Sequence, residues 1–417
     1  LSFYEATAQR DPPGPPLRGR AQTDVCIVGA GYTGLMAALE LAERGVAVRV
    51  LEAGLIGEGA SGRNGGQLGT GQRRKQRWLE AQYGPERARR LWGIAEAAKD
   101  LAKQRIARHG IACDLKPGIL NVAHRADLLP ELLDDAAHLK AEYGYEEILP
   151  LTKAELAPLL GTDVYHGGTL DRGAAHLHPL NYALGLARAA RAAGAIIHEN
   201  SRVKAVDHES GCVTTEEGAV TAKHIILAGN AYLGRLARPI APYIMPINNF
   251  IIATEPLGNL ARALIADDVA IADTRFVIRY YRLSADGRLL FGGGESYGPR
   301  MPDDIKAVVR PHMLKVFPQL ADRRIDYAWG GTLAITVTRV PHLGRLGKRS
   351  LFAQGFSGHG VAMAGMAGKL MADAMLGEDE AFEMMAGLGV PVFPGGVVLR
   401  NPMRVAAMLY GTLKDVV

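Results

Sequence analysis

Cysteine is scarce: Cys26, Cys113 and Cys212 stand far apart, in no metal-ligand or iron–sulfur spacing, so a cysteine metal site and an iron–sulfur relay have no motif here. Cys26 lies inside an apolar run and reads as a small core residue. No stretch reaches the roughly eighteen apolar residues of a membrane span, and no signal-peptide pattern precedes Asp24, so the expectation is a cytoplasmic chain without an integral membrane segment. Large charge asymmetry is also missing. Lys and Arg number 48 against 43 acids, a net +5, and nucleic-acid binding is not expected. The dense basic stretches are Arg73-Arg74-Lys75-Gln76-Arg77 and Arg87 to Arg90, and both read as solvated faces. What remains is an ordinary mixture, 48% hydrophobic over 417 residues, long enough for two domains with sizeable cores.

The chain is organised around Asp24 to Gln67. Asp24 to Val28 is a short apolar strand, Gly29-Ala30-Gly31-Tyr32-Thr33-Gly34 a G-x-G-x-x-G turn, and Leu35 to Arg44 carries apolar residues at helical spacing up to Gly45. Gly29 permits the tight turn, Gly31 a close approach of backbone to pyrophosphate, and Gly34 close packing of helix on strand. A second strand, Val46 to Leu51, ends in Glu52 and Ala53, where a carboxylate can accept from both hydroxyls of an adenosine ribose and disfavours a 2′-phosphate. A second Gly-rich loop follows: Gly59-Ala60-Ser61-Gly62-Arg63-Asn64-Gly65-Gly66-Gln67. A plain nicotinamide-binding unit has no need of it. FAD does, since its isoalloxazine requires further small residues and backbone donors.

The run Gly29 to Gln67, with the later Gly355-Phe356-Ser357-Gly358-His359-Gly360, resembles the FAD-dependent amine and D-amino-acid oxidase superfamily. Within it the segments Ala228 to Gly234, Ala253 to Gly258 and Phe291 to Gly294 are most similar to the gamma-glutamylputrescine oxidoreductases. The resemblance implies an α/β flavoprotein of two domains, a Rossmann-like FAD-binding domain and an antiparallel β-sheet substrate domain with helices. The first is expected in segments 20–78, 150–240 and 325–390, the second in 79–149 and 241–324, with 391–417 as a tail. The tail's amphipathic segment, Met403 to Leu413, is expected to pack on the body, with pairing to a second subunit or membrane contact as alternatives.

Helices are expected over Leu79 to Gly110, Ala126 to Tyr143, Pro179 to Arg191 and Asp304 to Phe317, and strands over Ile119 to His124, Ala195 to His198, Arg202 to Asp207, Val213 to Thr215, Val220 to Thr221, His224 to Leu227, Ile247 to Thr254, Phe276 to Arg282, Arg288 to Gly292 and Leu351 to Gln354. The resemblance places Val203 at the adenine edge, Ala228-Gly229 at the turn closing the FAD domain, and Gly330-Gly331 where the chain returns to that domain. Gly355 to Gly360 and Val361 open a helix whose N-terminal amides can face the flavin's pyrimidine carbonyls and stabilise negative charge there. Gly365 and Gly368 keep that helix thin.

The implied chemistry is transfer of a hydride equivalent from the carbon beside a neutral amine nitrogen to flavin N5, giving an imine that water hydrolyses. His359 is the titratable candidate, with a structural hydrogen bond as the alternative; Gln67, Leu68, Tyr280, Tyr281, Arg282 and Trp329 are candidates for lining the pocket. Sarcosine oxidases attach FAD to a cysteine near the place of Gly331, and no cysteine is near it here, so non-covalent FAD is expected. The places of their two carboxylate-binding cations fall near Leu68 to Gly71 and at Ala362, both without a cation. A carboxylate beside the flavin is thereby disfavoured, and an amine with a distant carboxylate, such as gamma-glutamylputrescine, fits better, met by Arg275, Arg279 or Arg282. Leu289 and Leu290 stand where those enzymes carry a lysine near N5, so oxygen or another electron acceptor stays open, as does oligomeric state. Alternatives are another secondary or N-methyl amine, a D-amino acid, or a flavin-binding relay subunit without turnover of its own.

Overall fold

The computed structural model describes residues 1–295, 301–397 and 402. Two β-sheets carry the chain. The first has a parallel centre: Ser350–Gln354, Gly218–Leu227, Gly19–Val28, Val48–Leu51 and Ile196–His198, flanked by antiparallel His342–Leu346 and the short strands Ala205–Asp207 and Cys212–Thr214. Val25 to Val28 are buried without alternation, as a strand covered on both faces requires. Helices Tyr32–Glu43 and Gly360–Met375 pack together beside it.

The second sheet runs Ile325–Ile335, Met245–Thr254, Leu289–Glu295, Tyr280–Leu283, Ala270–Asp273, Lys116–Val122, Gly167–His176 and Gln67–Leu68, with Ile148–Thr152 on Gly167–His176. It is antiparallel except where Ala270–Asp273 lies parallel to Lys116–Val122. Helix Ile305–Val316, N-capped by Asp304, covers it and closes a core of Phe250, Tyr281, Phe291 and Phe317. Gln67–Leu68, Gly167–His176 and Ile325–Ile335, each inside a segment expected to belong to the first domain, are strands of this second sheet. A larger core bridges the two sheets, with Leu68, Ile251, Leu290 and Trp329 in one cluster with Leu35 and Met366.

Several elements depart from the sequence reading. Leu79 to Gly110 is two helices, Gln76–Tyr83 and Pro85–Arg108, because Gly84 sits at φ 82° and Pro85 starts a new first turn. Val220 to Thr221 and His224 to Leu227 are one strand, Gly218–Leu227, and the strand expected from Arg202 shrinks to Ala205–Asp207. The strand expected from Phe276 begins only at Tyr280. Asp273 is the cause: its Oδ1 accepts from the Arg275 and Arg279 backbone N–H groups at 3.2 and 2.9 Å, holding the intervening chain in a loop. The first residues also form an element that the sequence reading missed. Helix Phe3–Thr7 is capped by Ser2 Oγ and buries Phe3 and Tyr4 between the sheets. Met403 to Leu413 lies outside the described residues.

Candidate active site

The site is assembled where the tips of the parallel strands meet the second sheet. Gly29 adopts φ 108°, and a Cβ on Gly34 would stand 1.9 Å from Gly29 O, so the helix Tyr32–Glu43 can approach the first strand only without that atom. The Glu52 carboxylate reaches back into this turn: Ala30 N–H donates to Oε2 at 2.7 Å and Gly54 N–H to Oε1 at 3.1 Å. Burial raises the Glu52 pKa, opposed by those N–H donors. Ser201 N–H donates to Glu52 O at 2.7 Å, which brings Val203 into one cluster with Val28, Leu51 and Leu227. Ala228 and Gly229 lie against Gly29, the Ala228 N–H donating to Val28 O at 2.9 Å. Asn230, at φ 46°, accepts from Gly355 N–H at 2.9 Å and so ties this turn to the C-terminal glycine loop.

The second glycine loop folds over the helix start, with Tyr32 N–H donating to Ser61 Oγ at 3.0 Å. Asn64 braces it internally, donating to Ala60 O and Ser61 O and accepting from Gly66 N–H. Arg63 donates to Gly330 O at 3.2 Å, Trp329 Nε1 donates to Arg63 O at 3.1 Å, and a Cβ on Gly331 would lie 3.2 Å from Arg63 Cβ. The Tyr280 ring covers Gly65 and Gly292, and its hydroxyl donates to Asn249 Oδ1. In the third loop Ser357, at φ 54°, donates its N–H to Ala334 O, Phe356 and Val361 are buried, Gly358 takes φ 86°, and Gly360 starts the helix.

His359 caps that helix by position, and its ring Nε2 lies 2.8 Å from Gly71 O. A carbonyl only accepts, so Nε2 carries the hydrogen and Nδ1 keeps a lone pair. Burial, then Arg73 and Lys99 nearby, push its pKa down to about 4, leaving the ring neutral at pH 7. Beside the Gly69–Gly71 segment, Lys99 Nζ donates to Thr70 Oγ1, Glu96 Oε2 and Tyr145 OH at 2.9, 2.9 and 3.0 Å, and Tyr145 OH donates to Asp171 Oδ1 at 2.8 Å. The sequence reading missed this network, whose members lie too far apart in the chain to form a motif.

Four pocket-lining expectations need correction. Tyr281 is buried on the face of the sheet opposite Tyr280, stacked on Phe291 at 5.2 Å, as alternation along a strand demands. Arg282 is 2% exposed and committed to the chain, donating to Gly65 O, Leu283 O and Tyr4 OH at 2.9, 3.1 and 3.3 Å; it holds the second loop rather than a ligand. Leu68 is fully buried in the bridging core. Gln67 donates to Ile271 O at 2.8 Å and pins the loop to the sheet. Arg275, a candidate for the distant carboxylate, is paired with Asp273. Trp329 is also mostly buried, edge-on to Tyr4 with ring centroids 5.1 Å apart.

A parallel sheet ending in a glycine turn and acid, overlaid by two further glycine loops and joined to an antiparallel sheet, is the framework of a flavin-dependent oxidoreductase. The chain belongs to the DAO family of FAD-dependent oxidoreductases, which it matches over residues 24–374. It is 42% identical, over 99% of its length and 98% of the relative's, to gamma-glutamylputrescine oxidoreductase of Escherichia coli (strain K12). Glycine oxidase of Geobacillus kaustophilus has a similar structure, TM-score 0.72 at 21% identity over 91% of this chain and 99% of that one, and L-proline dehydrogenase of P. horikoshii another, TM-score 0.70 at 21% identity over 85% and 94%. The protein is an oxidoreductase of a class acting on amines. Among the described residues no helix is long and apolar enough to cross a membrane.

The residues present fit FAD. Gly29, Gly31 and Gly34 make a turn tight enough that a Cβ would meet Ala228, Ser61 Oγ and Gly29 O respectively, Glu52 stands where the ribose hydroxyls would donate, and the Gly355–Gly360 turn presents a sixteen-residue helix N-terminus.

Proposed function

We propose that the protein oxidises the primary amine of gamma-glutamylputrescine, or of a closely related gamma-glutamylated amine, with FAD bound non-covalently. The observation that carries the substrate is the near-full-length 42% identity to an enzyme of that name; the glycine loops and Glu52 support the cofactor. Bound FAD would accept a hydride equivalent from the carbon beside the amine. The residues of the chain govern what precedes that. An alkylammonium with a pKa near 10 must lose a proton at a cost of roughly 4 kcal/mol at neutral pH. Desolvation on leaving water for the protein disfavours the cation, and His359 Nδ1, unprotonated, can accept a hydrogen bond from the neutral amine. Loss of two hydrogens gives an imine, and water converts it to aldehyde and ammonia. Non-covalent attachment is supported by the absence of any cysteine near Gly331, and all yellow colour should stay in solution after acid precipitation of the protein.

Anaerobic titration of the holoprotein, followed by visible flavin absorbance, tests the substrate. Gamma-glutamylputrescine is expected to bleach it faster than putrescine, sarcosine or D-alanine; bleaching by sarcosine or D-alanine alone sinks the proposal. Readmitting air then identifies or excludes oxygen as acceptor. His359→Ala is expected to slow amine-driven bleaching about tenfold, the upper worth of one neutral hydrogen bond. Because the ring titrates near pH 4, the variant should leave any inflection between pH 6 and 9 where it was. A shifted inflection would mean that His359 is the titrating group.

A further inference from the structure

The run Arg73-Arg74-Lys75-Gln76-Arg77 contains four cations, and the fold splits them. Lys75 pairs with Glu131 at 2.7 Å and with Asp135, and Arg77 with Asp134 at 3.1 Å, which makes these two the solvated face that composition suggested. Arg73 and Arg74 turn the other way. Arg73 Nε donates to Ser357 O at 3.2 Å, inside the flavin-facing turn, and Arg74 Nε donates to Thr338 O at 3.0 Å with its guanidinium 4.7 Å from the Trp78 ring centre. Neither is paired with a carboxylate among the described residues. Each guanidinium therefore keeps its terminal fork of N–H donors unspent. The hydroxyl oxygen of Thr338, on the chain that Arg74 grips, is buried without a partner. Burial lowers the pKa of both arginines, and Arg74 lowers that of Arg73 further, the condition of cations close together and short of a counter-ion.

Other cations around the site are already engaged: Arg282 by three oxygens, Arg275 by Asp273 and Lys99 by Glu96. We propose that Arg73 and Arg74 form a carboxylate-binding site beside the Gly355–Gly360 turn and hold the distant carboxylate of the substrate. This rests on the substrate reading above and replaces Arg275 and Arg282 as its receptor. In gamma-glutamylputrescine about nine bonds separate the reacting carbon from the carboxylate, roughly 10 Å when extended at ~3.3–3.6 Å per three bonds. A receptor must then stand a side chain's reach from the reacting centre. Arg73 and Arg74 are tied to the same region of the chain: Arg73 follows Gly71, whose carbonyl holds His359, by two residues, and Arg74 reaches further out to Thr338 O. Two adjacent forks suit a carboxylate, which accepts bidentate donors.

The test compares holoproteins of wild type, Arg73→Met, Arg74→Met and Arg73→Lys, each checked for flavin content and melting temperature. The readout is the ratio of bleaching efficiency for gamma-glutamylputrescine over N-acetylputrescine, which keeps the amide and loses the carboxylate. Either methionine variant is expected to lower that ratio roughly 10- to 150-fold, the worth of a charge-assisted hydrogen bond, with partial recovery in Arg73→Lys. An unchanged ratio overturns the proposal. A second arm uses gamma-glutamyl-n-butylamide, which carries the carboxylate but lacks the terminal amine of the putrescine arm, titrated anaerobically by perturbation of the flavin spectrum. Weaker binding to the methionine variants supports the site even if wild type proves inert toward gamma-glutamylputrescine, which would overturn only the substrate reading. Equal binding to all four proteins, or none to wild type, overturns the carboxylate site itself.

Discussion

Gly34→Ala is expected to give protein that neither retains flavin nor folds stably, while Gly365→Ala is expected to behave nearly as wild type. Both glycines lie in helices of the FAD-binding region, and propensity alone would favour alanine at each by up to about 1 kcal/mol. Contact geometry reverses this at Gly34. Its added Cβ would stand 1.9 Å from Gly29 O and 3.1 Å from Gly29 C, both backbone atoms of the turn. Relief requires the helix to leave the strand or the turn to open, at a cost of about 3 kcal/mol or more, and either movement displaces the helix N-terminus from the phosphate position. At Gly365 the nearest atom is the Met36 Cε methyl at 3.4 Å, the end of a flexible side chain. Gly368 sides with Gly34, since a Cβ there would meet Thr33 O at 2.3 Å. Of the two glycines expected to thin this helix, only Gly368 lies against backbone. Flavin content per protein and urea midpoints check the contrast; a Gly34→Ala protein with full flavin and an unchanged midpoint would mean that the turn is not held by this packing.

The second large effect is on acid stability. Burial drives His178, His342 and His359 down to about 4 and His176 to about 3. Two of them use the unprotonated nitrogen: His178 Nδ1 accepts from Asn181 N–H at 3.1 Å, capping a helix, and His342 Nδ1 accepts from Gln354 Nε2 at 3.1 Å. A histidine whose folded pKa lies below its unfolded value of about 6.5 contributes stability above that value. As pH falls, the unfolded chain binds the proton first, so stability is lost from about pH 6.5 down to the folded pKa near 4. At pH 5.5 each ring costs about 1.4 kcal/mol, and four together about 4 to 6 kcal/mol. Glu52 and Asp273, whose carboxyl pKa values are raised by burial, oppose this at lower pH. The unfolding free energy from urea melts is therefore expected to fall by that amount between pH 7.5 and 5.5. A flat profile over this interval would show that the rings are protonated in the folded chain.

The fingerprint from Asp24 to Glu52 was legible because its parts are neighbours: strand, turn, helix and acid follow one another, and the carboxylate of Glu52 does meet the Ala30 N–H. The later glycine loop was legible for the same reason, as was the burial of Cys26. Alternation along a strand is a local rule too, and it suffices to put Tyr280 and Tyr281 on opposite faces of their sheet. No local rule marks Arg282 as internal, since beside its neighbour Leu283 its acceptors come from Gly65 and Tyr4, both more than 200 residues away in the chain. The same holds for Arg73 and Arg74, which composition cannot tell from Lys75 and Arg77.

Sequence by itself therefore determined the cofactor framework, because a G-x-G-x-x-G turn, its strand and its acid are fixed by backbone sterics and spacing within one segment of the chain. The tertiary structure alone decided which arginines are spent and which stay open, which sheet receives Ile325–Ile335, and how Phe3 and Tyr4 come to fill the gap between the sheets. Those outcomes depend on which distant carbonyls and carboxylates arrive beside a side chain, and only the closed fold brings them there.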